Sequence, residues 1–196
     1  MVQYPNRSLA TTFFSACVLS VTLTPGVAQS ASAPDTKLSV KAALVLTPEF
    51  CATTYGKNHS WVTVEEAFEI GKAICPELET ALKSAFYSLT RVESTTSVGD
   101  AQIVLLPRFV DVRANRPGKA KAEREMMAVL EWTVKDAAGR TVWLDTVQSI
   151  VQHQMGRSIG QQKQGAEQLV QDSAKSLVEQ SVSKLVSAPE IRKLTQ

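Results

Sequence analysis

The sequence has few of the residues that enzymes and metal proteins use for chemistry. It contains three cysteines and two histidines, His59 and His153. Neither histidine lies at metal-ligand spacing from a cysteine, and neither belongs to an H-E-x-x-H or Walker-type motif. We therefore expect no enzymatic activity, metal or cofactor, and we interpret both histidines as solvated or structural residues.

An excess of charge of one sign is also missing. The chain has 21 Lys and Arg against 19 Asp and Glu, for a net charge of +2. Such a balance gives no general electrostatic reason to bind nucleic acid or an anionic membrane. The uncharged run from Leu9 to Leu23 is shorter than the roughly 20 apolar residues that a membrane-spanning helix needs.

The N-terminus has the pattern of a secretory signal. Arg7 precedes the run Leu9–Leu23, and the small residues Ala28 and Ser30 follow at the spacing that a signal peptidase recognises. We expect cleavage after residue 30 and release into the periplasm. The alternative is lipidation of Cys17, which follows Ser15 and Ala16 and would anchor the protein to the outer membrane.

Removal or lipidation of Cys17 would leave two cysteines in an oxidising compartment. Cys51 and Cys75 are therefore predicted to form a disulfide. The bond would close a loop of 24 residues, which contributes about 3 kcal/mol in the chain-entropy model.

Apolar periodicity predicts one α+β domain over residues 37–196, after a flexible tail at 31–36. KLSVKAALVL alternates like a half-buried strand, and a turn-rich insertion follows at 47–62. Because Cys51 lies within this insertion, the predicted disulfide would pin it to the domain.

A helix is predicted to begin at Thr63, which forms a capping box with Glu66, and its apolar spacing continues to Leu89. Pro76 interrupts the pattern, so we expect a break or kink at Ile74-Cys75, with Pro76 in the first turn of a second helix.

Three further strands and a terminal helix complete the pattern. QIVLLPRFVDV is predicted to be an edge or bulged strand because of Pro107. MMAVLEWTV and RTVWLDTVQSIV alternate around D-A-A-G-R and predict a hairpin. The last helix should run from about Gln161 to Val186. The order β-α-β-β-β-α favours a small antiparallel or mixed sheet with two amphipathic helices on one face.

This order, the hairpin EWTVKDAAGRTVWLDT and the preceding strand GDAQIVLLPRFVDV resemble small bacterial envelope lipoproteins that assist lipopolysaccharide assembly or ABC-type export. They also resemble related outer-membrane secretion lipoproteins. The resemblance covers most of residues 37–188, and the chain departs from it in the Cys17 region and in the insertion. It implies an accessory or scaffold component of envelope transport or assembly, with an envelope protein as partner.

Two groups of residues are candidates for binding. A basic segment before the hairpin could hold anionic lipid or glycan headgroups, although we favour its interpretation as a solvated connection kept soluble by its charges. Its basic residues are Arg113, Arg116, Lys119, Lys121 and Arg124. Trp143 lies out of phase with Val142 and Leu144, and it could either mark a partner surface or be covered by the insertion together with Trp61.

The intact mass of the protein purified from its own envelope tests the two N-termini and the disulfide together. We expect a chain that begins at Ala31 and gains about 2 Da on reduction, because one disulfide takes up two hydrogens. A chain that begins at a lipidated Cys17 would contradict the cleaved-signal prediction. An unchanged mass after reduction would contradict the disulfide.

Overall fold

A computed structural model describes residues 37–55, 68–115, 123–154 and 158–194. Their main elements follow in chain order: β1 Leu38–Val45, α1 Pro48–Cys51, α2 Ile70–Ala85, β2 Phe86–Val92, β3 Ile103–Asn115, β4 Glu123–Asp136, β5 Thr141–Gln154, α3 Ile159–Ser187 and α4 Pro189–Lys193. In the described part of the chain, no helix is long and apolar enough to cross a bilayer.

The strands form one mixed sheet in the order β2-β1-β3-β4-β5. β1 is parallel to both of its neighbours, β2 and β3. β4 is antiparallel to both of its neighbours, β3 and β5. Gly139 takes a positive φ of 78° in the turn between β4 and β5, as the D-A-A-G-R segment predicts.

Strict alternation along β4 makes the sheet one-sided. Five alternate residues are fully buried: Met126, Ala128, Leu130, Trp132 and Val134. The residues between them stay partly exposed. α2 and α3 pack against each other over the buried face and share one core with it. The predicted α+β class, with two helices on one face of a mixed sheet, is therefore confirmed.

Hydrogen bonds as well as apolar contacts attach α3 to this face. The Trp132 indole Nε1 donates to Oγ of the buried Ser181 at 2.8 Å. The Ser173 hydroxyl donates to the Ser149 hydroxyl at 3.3 Å. These bonds to β4 and β5 place α3 across both strands.

The predicted first helical region was wrong in two respects. α2 runs unbroken through Pro76. The proline has no N–H to donate to the Lys72 carbonyl. Because Pro76 and Lys72 are both exposed, that carbonyl can accept a hydrogen bond from water instead. The helix also ends at Ala85, and Phe86–Val92 forms β2. Leu89 matched the helical spacing, but the segment FYSLTRV is rich in residues that favour strands. The Thr63–Glu66 capping box lies outside the described residues.

β3 is bulged, as its proline predicts. The register with β4 shifts between Phe109 and Asp111, two residues beyond Pro107. β1 pairs only with the first three residues of β3, Ile103 to Leu105. α1 lies beside the next part of β3, where the Phe50 and Phe109 rings stack at 4.9 Å.

The predicted Cys51–Cys75 disulfide is present and joins α1 to α2. Gly71 in α2 makes this contact close, since its N–H donates to the Thr53 carbonyl at 3.0 Å. A Cβ at this position would lie within contact distance of backbone atoms of Phe50, Cys51 and Thr53. The insertion predicted at 47–62 therefore begins with a short helix, α1, and this part of the chain is attached to α2 by the disulfide and by the hydrogen bond from Gly71.

Gly71→Ala should lower the free energy of unfolding by about 1–3 kcal/mol, because the added methyl group meets backbone atoms that cannot rotate away. Urea unfolding followed by circular dichroism measures the change. Gly160→Ala is the matched control, because no atom lies within 4 Å of a Cβ built there. It should leave the stability unchanged or raise it by up to about 1 kcal/mol. Equal effects would contradict the close contact.

Candidate interaction site

Within the described residues, the face of the sheet away from α2 and α3 carries exposed apolar side chains; we call it the open face. Three of the four large apolar side chains exposed on the strands are Val110, at 52%, and Leu144 and Ile150, each at 59%. Leu144 is paired with Thr133 and Ile150 with Met127, which alternate with the buried residues of β4. Leu144 and Ile150 therefore lie on the open face.

A groove of about 590 Å³ lies where α1 meets β3 and β4. Its apolar lining includes Phe50, Leu106 and Phe109. The stacked rings, at an interplanar angle of 16°, join the α1 side of the groove to the β3 side.

Charged and polar side chains surround this apolar lining. Arg108 and Glu131 form an ion pair at 2.8 Å, and Lys135 and Glu49 also line the groove. The pKa of Glu49 is lowered by hydrogen bonds from its own backbone N–H and from Thr47, so this carboxyl group is ionised at neutral pH. Two acidic and two basic side chains thus balance around the groove.

The construction of α1 explains why the groove has a fixed wall. Thr47 is the N-cap, its hydroxyl accepts from the Phe50 N–H, and Pro48 occupies the first helical position. Cys51 then bonds to Cys75 in α2. Our sequence reasoning missed this wall, although T-P-E-F carries an N-cap residue followed by proline.

A second cavity of about 540 Å³ lies between the Thr95–Ala101 loop and the β4–β5 turn. Its lining includes Lys135, which it shares with the groove, and Asp136. A hydrogen bond from the Arg140 backbone N–H lowers the pKa of Asp136. Because the same carboxylate also accepts from the Ala138 N–H, we interpret Asp136 as part of the turn.

Only the two ends of the predicted basic segment lie within the described residues. Arg113 is paired with Met127 on the open face and forms an ion pair with Asp111 at 2.8 Å. Arg124 is paired with His153 and is buried, with 4% exposure, on the helix-covered face. β3 and β4 therefore place these two cationic side chains on opposite faces of the sheet. Arg116, Lys119 and Lys121 lie outside the described residues, and headgroup binding stays a prediction.

Of the two tryptophans in the predicted partner surface, only Trp143 lies within the described residues. Trp143 is paired with the buried Val134, and it lies half-buried against the core. It therefore faces the helices, while its neighbour Leu144 faces outward. Trp61 and Cys17 lie outside the described residues, so their predicted roles stay predictions.

His153 connects β5 to α3. Its Nε2 lies 2.7 Å from Oδ2 of Asp172, and Oδ1 of Asp172 accepts from the Gln168 amide at 2.9 Å. The hydrogen bond from His153 is the main cause of a lowered pKa at Asp172. His59 lies outside the described residues, and within the described part no group of three or more His, Cys, Asp or Glu could hold a metal ion.

Sequence reasoning also overlooked G-R-S-I-G at positions 156–160, which matches the G-x-S-x-G pattern of a nucleophilic serine. A nucleophile elbow places that serine in a strained turn. Ser158 instead has extended φ and ψ of −86° and 156°, and its hydroxyl accepts from the Gln161 N–H in a capping box. This geometry makes Ser158 the N-cap of α3.

The spacing Ser181-x-x-Lys184 is a second pattern that resembles a catalytic motif. Ser181 is fully buried. Its hydroxyl donates to the Leu177 carbonyl and accepts from Trp132. The hydroxyl is thus committed to packing α3.

The His153–Asp172 contact gives a pH-dependent prediction. The folded-state pKa of Asp172 is below its ordinary value of 3.8, so its stabilisation is present above that value and is lost as the pH falls through the folded pKa. Asp172→Asn should lower the free energy of unfolding at neutral pH by no more than about 1 kcal/mol, because the pair is partly exposed. At a pH below the folded-state pKa of Asp172, the variant and the natural protein should converge.

Urea titrations at both pH values measure this difference. His153→Gln should cost a similar amount, and the double variant should cost little more than either single variant, because one contact is lost in each case. Strictly additive losses would contradict the coupling of His153 with Asp172.

Comparison with known proteins gives a likeness of fold. No protein-family model and no curated protein matches the chain. A minor lipoprotein from Acinetobacter baumannii superposes with a TM-score of 0.51 at 14% identity, over 78% of this chain and 94% of that chain. A Xanthomonas campestris protein of the DUF330 family gives 0.48 at 9% identity, over 76% and 88%. The PelC dodecamer from Paraburkholderia phytofirmans gives 0.46 at 13% identity, over 79% and 92%. The chain thus shares its fold with a bacterial minor lipoprotein.

Proposed function

We propose that this protein is a non-enzymatic accessory or scaffold component of the bacterial cell envelope, and that it holds a protein partner at the groove between α1 and β3–β4. The sequence pattern of a secretory signal and the fold shared with a minor lipoprotein support the envelope location. Service in lipopolysaccharide assembly or export is the finer form of this proposal, and it rests on the resemblance of the hairpin and its preceding strand.

The observation that carries the proposal is the groove itself. Its lining combines apolar side chains with acidic and basic ones. A buried apolar centre with a polar rim is the usual anatomy of a protein interface. Because the charges balance, the groove favours a partner with an apolar anchor and polar surroundings over a strongly anionic headgroup.

The rigidity of the groove supports the same function. α1 is capped by Thr47, stacked through Phe50 on Phe109, and bonded through Cys51 to α2. A wall that is fixed before binding loses little conformational entropy when a partner docks.

The non-enzymatic part of the proposal rests on what the polar groups do. His153 and Asp172 join β5 to α3, Ser158 caps α3, and Ser181 binds Trp132. Each of these groups has a structural role, either in capping α3 or in attaching it to the sheet.

For the location, we propose a periplasmic protein released by signal cleavage. Anchoring to the outer membrane through Cys17 is the alternative. Both locations place the groove in the same compartment, so the partner is proposed to be an envelope protein in either case.

Complementation of a deletion strain tests the groove against an active site. Leu106→Arg places a charge in the apolar lining of the groove, so we expect it to lose most of the resistance to detergent and vancomycin that the natural gene restores. The substitution Val110→Arg is the matched control, because Val110 is an exposed aliphatic residue of the same strand that does not line the groove. It should complement fully.

His153→Ala and Ser158→Ala provide the enzymatic comparison, with protein levels checked by immunoblot. We expect both variants to complement when they accumulate normally. Full loss in either variant at normal protein level, together with full complementation by Leu106→Arg, would overturn the proposal in favour of an enzyme.

A further inference from the structure

Among the described strands, β5 ends the sheet, and its outer edge has no strand partner there. Natural edge strands commonly carry lysine or proline, which discourage pairing with another chain. From Thr141 to Gln154, β5 has 14 residues and contains no Lys, Arg or Pro. Any protection of this edge must come from other kinds of side chain.

That protection comes from α3 and from Asp145. Nζ of Lys184 donates to the Thr146 carbonyl at 2.7 Å, and Nε2 of Gln180 donates to the Gln148 carbonyl at 2.9 Å. The Thr146 N–H donates to Oδ1 of Asp145 at 2.7 Å. We call Asp145, Gln180 and Lys184 the edge plug, because they occupy three backbone groups at the middle of β5.

The plug is held together by its own ion pair. Nζ of Lys184 lies 2.8 Å from Oδ2 of Asp145. Both side chains are about two-fifths exposed, at 42% and 39%, so water can replace the contact. The plug therefore closes the edge with interactions that another strand could displace.

The occupied groups also show which residues face the edge. Backbone groups alternate in direction along a strand, so the even-numbered residues around Thr146 and Gln148 direct their N–H and C=O groups away from β4. Leu144 and Ile150 belong to this set. Their side chains are 59% exposed on the open face.

Leu144 and Ile150 are placed symmetrically, three residues before and three residues after Val147. If a second copy of β5 ran antiparallel about Val147, Leu144 of each copy would lie directly opposite Ile150 of the other. Thr146 would lie opposite Gln148 in the same way. Both are hydrogen-bonded pairs in an antiparallel ladder, and the outer pairs would cover the exposed aliphatic side chains.

We propose that β5 is a two-fold symmetric pairing site for a second copy of this chain, and that the edge plug holds the site closed in the single copy. The self-complementary register favours a second copy over an unrelated strand, because it supplies an isoleucine for each leucine and a leucine for each isoleucine. α3 bonds to β4 as well as to β5.

Removal of the plug tests whether it closes the edge. Gln180→Ala combined with Lys184→Ala should lower the dissociation constant of the dimer by at least about tenfold, measured by sedimentation equilibrium. Gln171→Ala combined with Lys175→Ala is the matched control, because it removes the same two residue types at the same spacing from an exposed part of α3. The control should behave like the natural protein.

Cysteine crosslinking tests the register independently. Leu144→Cys and Ile150→Cys chains, mixed and mildly oxidised, should form mixed 144–150 crosslinks, since directly opposite residues lie about 5.5 Å apart. Leu144→Cys alone should not crosslink, because its two copies would lie about 20 Å apart along the strand. Cys51 and Cys75 do not interfere, because they are already bonded.

A plug variant that stays monomeric in solution, or 144–144 crosslinks as abundant as 144–150 crosslinks, would overturn the proposal. If the plug variant does not fold, the cysteine pair in the otherwise natural chain still decides the question at high protein concentration. Absence of the 144–150 crosslink there would equally overturn it.

Discussion

The alternation of β4 is the constraint on which the rest of the structure depends. Every second residue from Met126 to Val134 is fully buried, and an apolar stripe of this kind requires a helical layer. α2 and α3 supply that layer. Because α2 and α3 both pack on one face of the sheet, they leave the open face uncovered. The groove and the exposed Leu144 and Ile150 are consequences of this arrangement.

The molecule uses its polar groups mainly to fix the helices relative to the sheet. α3 is joined to β4 and β5 through Ser181 and Ser173. Of the two serines in patterns that resemble catalytic motifs, Ser181 makes one of these bonds and Ser158 caps the helix. The disulfide does the same for α1, which becomes one wall of the groove. The contacts that attach the helices to the sheet thus also fix the wall of the groove.

Much of the fold can be predicted from the sequence where one strong pattern acts locally. The β4–β5 hairpin, the long α3 and the Cys51–Cys75 bond all follow from alternation, helical spacing and cysteine count. β2 was missed because Leu89 fits a helical period, and only pairing with β1 decides for a strand. The unbroken course of α2 through Pro76 depends on which side of the helix faces solvent. The groove was missed because its residues come from α1, β3 and β4, which only the tertiary fold brings together.

The position of β1 has a consequence for the order of folding. β1 lies between β2 and β3 and is parallel to both, yet it is the first of the described strands. Its partners in β3 are about 60 residues away, as in the pair Ala42 and Ile103. Closing such a long loop costs entropy before any contact is gained. The β4–β5 hairpin can form by itself, whereas β1 can pair on both sides only once the chain as far as Leu105 in β3 is available.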